Sequence, residues 1–459
     1  MRPTSALLPL AVAALLFVTA CANSIAGPAD SDAAIADTDD IISDGSGGGD
    51  GEKDENDITD EKDEIAAEDA AEADTAPDAD PFITLERTTT QWGTPADDYL
   101  VDLAADGSGG YYVAGSSGGA LPGCANAGES DLFLIRFAPD GTLTWSRELG
   151  TALGDHGYSI VTGKEGLVSV GGVTYGVFDG AVGAGGIDLF IATWQTDGTP
   201  VGVRQWGTAV DDRFSGMTGD GVEGFIVLSG DALSRRGADG TEAWSKPELL
   251  PYNHFYGITT APDGTILLAG VEQYPATRDR YNHCAVTAVD TDGALLWGRT
   301  TTSPEYCTEV AASPAGDIYA IGYADHYDGA PVAGEILLVK FNAAVEWQWT
   351  VPWGTGVNDT GNNILTDQKG NIYLLGTTQR VPPDNPAAVG RDILLLKFSQ
   401  DGVPLWMSQW GSDQDDGPAG MVFDPQGRLV VAGYTAGSID GNASAGGIDM
   451  FISEITLPE

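Results

Sequence analysis

The sequence predicts an all-β chain: a seven-bladed β-propeller of four-stranded antiparallel blades. The ring is expected to close by pairing of its N- and C-terminal strands and to follow a disordered acidic tether. Three observations carry this reading. An apolar strand, an Asp-Gly turn and a Trp-bearing strand recur along the chain, from Ser130 to Trp145, Gly186 to Gly198, Cys284 to Trp297, Glu335 to Trp347, Gly390 to Gly411 and Gly447 to Ile455. A strand ending in a small residue and Gly occurs seven times, closing at Gly115, Gly171, Gly230, Gly270, Gly322, Gly376 and Gly433. The region has no helical periodicity. Units of four short strands repeated at this spacing share one continuous core and are the mark of propeller blades.

Residues 1–21 read as a targeting segment. Arg2 is the one charge, and the apolar run from Ala6 to Ala20 is broken by Pro9 and too short to span a bilayer comfortably. The final Val18-Thr19-Ala20-Cys21 resembles the lipobox of bacterial lipoproteins. That resemblance implies that Cys21 becomes the lipidated first residue of the mature protein; the alternative is an ordinary signal peptide with a chance cysteine. Ala22 follows the cysteine where Asp would direct retention at the inner membrane in enteric bacteria, so the resemblance implies the outer membrane. The expected location is the cell envelope, on either side of that membrane.

Residues 22–81 hold 21 Asp or Glu against Lys53 and Lys62, no aromatic residue, and the flexible run Gly45 to Gly51. Such a segment buries too little apolar surface to offset the entropy of ordering. It reads as an extended, self-repelling tether; an acidic ion-binding tail is the alternative.

The propeller is expected over residues 82–459. In each unit an apolar strand such as Tyr99 to Ala104, Tyr158 to Thr162 or Asn363 to Thr366 precedes a turn of the type Asp106-Gly107 or Asp263-Gly264. The small-Gly strand follows, and then the strand, Asp-Gly and Trp phrase. Gly supplies positive φ in such turns and Asp bonds its own backbone. Unit three is degenerate between Gly230 and Ala238, and units four and five lack a Trp-Gly-Thr opening. The last unit stops at Ile455 to Glu459, one strand short, and the missing strand is found at Thr84 to Gly93. Pairing the two ends in one blade removes an exposed edge.

This pattern of Gly-x-Asp, apolar strand, Asp-Gly, Trp, Trp-Gly-Thr, Asp-Asp and Gly-Asn-Ile-Tyr resembles the SBBP-type β-propeller repeat of bacterial secreted and surface proteins. The resemblance covers residues 84–455 and implies a propeller without implying an activity.

The formal charge of −47 argues against nucleic acid and against adhesion to anionic lipid, so the membrane is reached through the anchor alone. Beyond Cys21 there are Cys124, Cys284 and Cys307. Cys284 and Cys307 fall near one edge of neighbouring blades and form the candidate disulfide, with Cys124 left over in a Gly-rich loop; three unpaired thiols is the alternative. No Cys-x-x-Cys exists, and His156, His254, His283 and His326 are not spaced as metal ligands. Ser130-Asp131 lacks the glycines of a nucleophile elbow. The tryptophans at 145, 244, 297, 347 and 406 recur at one strand position and read as packing between blades rather than sugar-stacking platforms. No catalytic residue and no cofactor are expected.

A carboxylate lies six residues after each Trp-Gly tryptophan or its Leu149 equivalent: Asp98, Asp155, Asp212, Asp359 and Asp416, with Asp97, Asp211 and Asp415 beside three of them. Two roles fit. They cap the crossings between blades by accepting backbone N–H groups. Or they ring the axis beside the variable loops, where they hold a hard cation or attract a basic partner; any calcium binding there is expected to be weak. Antiparallel order puts the long loops, 116–130, 173–187, 271–283, 323–335, 377–392 and 434–448, on the same face as those crossings.

The expected function is a non-catalytic, surface-anchored module, a monomer, that binds a protein, peptide or glycan. One alternative is an envelope-assembly scaffold resembling the outer-membrane propeller lipoproteins that help barrel insertion. Another is a quinone-dependent dehydrogenase, whose basic residue, carboxylates and calcium form no visible constellation here.

Overall fold

Each apolar run becomes a strand with both faces covered, because each blade is sandwiched between two others. The computed structural model describes residues 82–458 apart from 164–165, 223, 248–252, 274–281, 325–334, 382–389 and 425. The targeting segment with Cys21, the acidic tether and His326 lie outside the described residues. Among the described residues there are 27 strands and no helix. They make seven four-stranded antiparallel blades, because the strand Leu295–Ala312 serves two blades at once. Its first half is the outer strand of blade four and its second half the inner strand of blade five. Unit five lacks the Trp-Gly-Thr phrase that turns the chain elsewhere, and the backbone there stays extended.

Inner strands begin the blades at Asp98–Ala105, Asp155–Thr162, Phe214–Gly219, Asn253–Thr260, within Leu295–Ala312, at Asp359–Thr366 and at Asp416–Phe423. The seventh blade is completed by the other end of the chain. Glu86–Trp92 pairs with Asp449–Thr456, in register from Glu86 opposite Thr456 to Trp92 opposite Met450. In the six other blades the third and fourth strands slip by one residue just after their hairpin. The closing pair shows no such slip, since no turn joins its strands.

Alternate residues of each strand pack to opposite sides. Val113, Phe133 and Ile135 of blade one meet Val430, Ala432 and Ile452 of blade seven. Tyr112, Ala114, Leu132 and Leu134 meet Ile160, Val170 and Phe190 of blade two. Cys284 and Cys307, both fully buried, form a disulfide with Cα atoms 4.9 Å apart between the third strand of blade four and the inner strand of blade five. Cys124, expected to be left over, is not free either.

The small-Gly ending has a steric cause. Every inner strand carries a bulge at the same height, skipping Val101, Tyr158, Ser215, Tyr256, Thr308, Asn362 and Ala419. A Cβ at Gly115, Gly270 or Gly376 of the second strand would overlap the backbone oxygen of Tyr99, His254 or Thr360, just before the bulge. In blade two the glycine in that position is Gly172, against His156, not Gly171.

The tryptophan register needs one correction. Trp145, Trp244 and Trp406 lie opposite Arg136, Arg235 and Lys397, and in blade five Trp349 holds that place opposite Lys340. Trp145, Trp244 and Trp349 lie against the hairpin glycines of the next blade, Gly198, Gly293 and Gly402. Trp347 instead begins its strand and is 58% exposed. The hairpin of blade five, Asn342 to Glu346, has no Asp-Gly to mark the count.

Candidate functional site

The crossings and the described residues of the long loops form one layer on one face of the ring. Backbone bonds join them: Gly118 N–H donates to the Asp97 oxygen at 2.9 Å, Tyr175 N–H to Gly154 at 2.9 Å, Gln379 N–H to Asn358 at 3.1 Å and Ala436 N–H to Asp415 at 3.0 Å. The crossings bond back to the residues entering the third strands, with Asp98 N–H on Ile448 at 2.8 Å and Asp212 N–H on Ile187 at 2.9 Å. Blade three contributes no long loop, since Phe225–Ser229 and Ala232–Arg236 are joined by Gly230 and Asp231 alone. The first–second and third–fourth Asp-Gly turns occupy the opposite face.

The repeated carboxylates are inside the crossings, not on display. Asp98, Asp155, Asp359 and Asp416 are all buried, and Asp212 is half-buried. Each accepts the backbone N–H four residues earlier: from Thr94 to Asp98, Thr151 to Asp155 at 2.6 Å, Thr208 to Asp212 at 2.7 Å, Thr355 to Asp359 at 2.5 Å and Ser412 to Asp416 at 2.6 Å. This is the turn-capping role, made by carboxylates that are buried or half-buried. The second set staples loops. Asp97 accepts Ile448 N–H at 2.9 Å, Asp211 accepts Ile187 N–H at 3.1 Å and Asp415 accepts Arg391 N–H at 2.9 Å.

A third set went unread in the sequence although the Gly-x-Asp phrase carries it. Asp131, Asp188, Asp392 and Asp449 open the third strands and are buried. Asp188 and Asp449 accept both a loop N–H, from Ala184 at 2.9 Å and Ala445 at 2.8 Å, and a glutamine amide, from Gln205 and Gln91 at 2.8 Å. Their other oxygens meet the capping carboxylates around the Trp-Gly glycines: Asp449 and Asp98 at Gly93, Asp188 and Asp212 at Gly207, Asp392 and Asp416 at Gly411. Only hydrogen leaves room for two carboxylates there, which is why those positions are glycine. Burial pushes Asp98 and Asp416 up to about 6, and the neighbouring Asp449 and Asp392 add to the rise, against hydrogen bonds that lower it. Burial likewise raises Asp131 to about 6, with Asp155 adding to it.

Beside exposed charges such as Asp211 and Asp415, this face presents an apolar group to solvent. Leu153 on the crossing into blade two, Tyr175, Val177 and Val182 on the loop of blade two, and Val210 on the crossing into blade three are all exposed, Val182 by 83%. Tyr175 packs edge-on against His156 at 5.9 Å. These residues follow no repeat, so nothing in the sequence pattern marks them. His254 lies beside Asp231 on blade three, 2.8 Å away. Among the described residues no group of three His, Cys, Asp or Glu is placed to hold a metal ion.

Residues 353–379 match the family model described as SBBP, beta-propeller repeat. The chain carries an SBBP repeat. No curated protein matches it. The chain is similar in fold to the solved structure of YCF48 bound to D1 peptide, at 12% identity and a TM-score of 0.48, over 83% of this chain and 98% of that one. It is similar to a chain of the mitotic checkpoint complex, at 13% identity and 0.48, over 84% and 96%. It is also similar to an ulvan lyase of a polysaccharide lyase family, at 12% identity and 0.46, over 79% and 95%. Likeness at this level says nothing of what this chain binds.

Proposed function

We propose that the propeller is a non-catalytic binding or scaffold module of the cell envelope, lipid-anchored through Cys21, whose loop face engages a protein or peptide. The observation that carries this reading is the exposed apolar group formed by Leu153, Tyr175, Val177, Val182 and Val210. In a chain of formal charge −47, apolar side chains gathered on connected loops are costly to leave wet unless a partner covers them. Loops held by a rigid scaffold are also where binding residues concentrate. Valine and leucine side chains suit an apolar protein or peptide surface better than a glycan.

The test is affinity capture from envelope extract with the full chain. A partner held by the unmodified protein is expected to be lost when Val177, Val182 and Val210 are all replaced by Ser, with melting unchanged. Equal recovery by both proteins contradicts the loop face as the binding surface. Anchoring has its own test: Cys21→Ser is expected to move the protein from the membrane to the soluble fraction, and persistence in the membrane contradicts the lipid anchor.

A further inference from the structure

The inner strands surround an axial cavity of about 790 Å³. Its lining begins at the bulges and runs to the ends of the inner strands, reaching Gly163, Gly221 and Pro262 in the first–second turns. It therefore opens on the hairpin face, opposite the loop face, and its occupant is independent of the partner proposed above.

The chemistry of the lining is one-sided. Its charged members are Asp102, Asp220 and Glu309, with no Lys, Arg or His among them. Arg235 already pairs with Asp220 at 2.8 Å. Asp102 and Glu309 meet no cationic side chain among the described residues. Asp102 accepts N–H bonds from Leu103 and Ile160, each at 2.8 Å. Glu309 accepts Val310 N–H at 3.1 Å through one oxygen, and its other oxygen is bonded to no described group. Both acids directly follow the residue skipped at their bulge, as Ser159 and Asn363 do in blades two and six. A buried oxygen of Asn363 has no partner. The rest of the wall is uncharged: Tyr158 and Tyr256, at skipped bulge positions, and Met217, Ile258 and Ile364 give it apolar and aromatic surface, interspersed with hydroxyls and amides such as those of Thr218 and Asn362.

We propose that this cavity binds a small organic cation, an alkylammonium group whose charge is taken up by Asp102 and Glu309 and whose alkyl part lies on the apolar and aromatic wall. A hard metal ion wants six or more oxygen ligands, and no three acidic or histidine side chains converge here. An ammonium needs only a few acceptors, and aromatic and aliphatic walls suit its chain. Burial pushes Asp102 up to about 7 and Glu309 up to about 8, with Asp102 adding to the rise of Glu309. Below about pH 7 the empty cavity thus holds its acids largely protonated, and a bound cation ionises them. Binding must release protons and tighten as pH rises. The other titratable groups on the wall, Asp220 with its Arg235 and the phenols of Tyr158 and Tyr256, do not gain or lose charge in that window: the first is ion-paired and lowered, and Tyr158 and Tyr256 are raised above their ordinary range.

Titration calorimetry of the full chain with n-butylammonium chloride at physiological ionic strength tests this. One saturable site is expected at about pH 8.5, weaker by about tenfold or more at about pH 6, and at the lower pH its heat is expected to vary with the ionisation enthalpy of the buffer. Glu309→Gln and Asp102→Asn are each expected to weaken binding by about tenfold. n-Butanol is expected not to saturate. Absence of a site for butylammonium, equal binding of butanol, an affinity indifferent to pH, or calcium binding in its place each overturns the proposal. Should the variants fail to fold, the pH dependence and the butanol comparison decide it on the unmodified chain.

Discussion

Position by position, the repeat separates what a residue does for its own turn from what it offers to a ligand. Five third–fourth hairpins place Gly at positive φ, at Gly141, Gly198, Gly240, Gly293 and Gly402; blade five places Val345 there, at φ 63°. A β-branched residue in that region costs on the order of 1–3 kcal/mol, part of which glycine gives back in chain entropy. Val345→Gly is expected to stabilise the propeller by about 1 kcal/mol in denaturant unfolding; unchanged or lowered stability contradicts the strain. The capping carboxylates give the converse. Asp416→Ala leaves the Ser412 N–H without its acceptor and is expected to cost about 1–3 kcal/mol, whereas Asp416→Asn keeps an acceptor and is expected to cost clearly less. Equal losses in melting would show that the charge, not the acceptor, matters. The capping role was legible because the acid repeats with the blade. The exposed Val182 and the cavity acids were not. Positions equivalent to Asp102 and Glu309 hold Ser159, Gly216, Gly257, Asn363 and Gly420, so no repetition draws attention to them.

At the level of strands, the sequence pattern carried order, pairing and closure. The strand Glu86–Trp92 was visible as the piece missing from the last unit, and it pairs where that piece belongs. Two features escaped. The strand shared by blades four and five is marked only by the absence of a turn phrase, and an absence does not say whether the chain bends elsewhere or continues straight. The register of Trp349 was lost because the turn Asn342 to Glu346 bonds through Asn342 instead of an Asp-Gly pair. Deleting residues 84–93 leaves Asp449–Thr456 as an open edge, with Phe451 and Ile455 at the lip of a core that also holds Trp410. That deletion is expected to lower the melting temperature and to bring aggregation in light scattering. A soluble deletion with unaltered melting contradicts closure by the chain ends.

For the molecule as a whole, burial of acids inside an acidic ring sets its response to pH. Asp98, Asp131 and Asp416 are pushed up to about 6, Asp102 and Glu148 to about 7 and Glu309 to about 8, in each case chiefly by burial. A folded-state value above the unfolded one favours the fold while the group is protonated, and that contribution is lost as pH rises through the folded value. Melting temperature is therefore expected to rise as pH falls from about 8 to about 5, with Glu309→Gln flattening the change above about pH 7. A melting temperature that falls over that range contradicts the burial of these acids. Asp106, Asp220 and Asp440, held low by hydrogen bonds and arginines that outweigh their burial, withdraw stability only below the ordinary carboxylate range. The proposed partner surface is the loop face, opposite the hairpins. Photoreactive residues at Tyr175, Val182 and Val210 on that face, and at Leu143 and Val403 on the other, test this most directly in cells. The account predicts covalent adducts to one envelope protein from the first three positions; adducts confined to Leu143 and Val403, or none from the loop face, would contradict it.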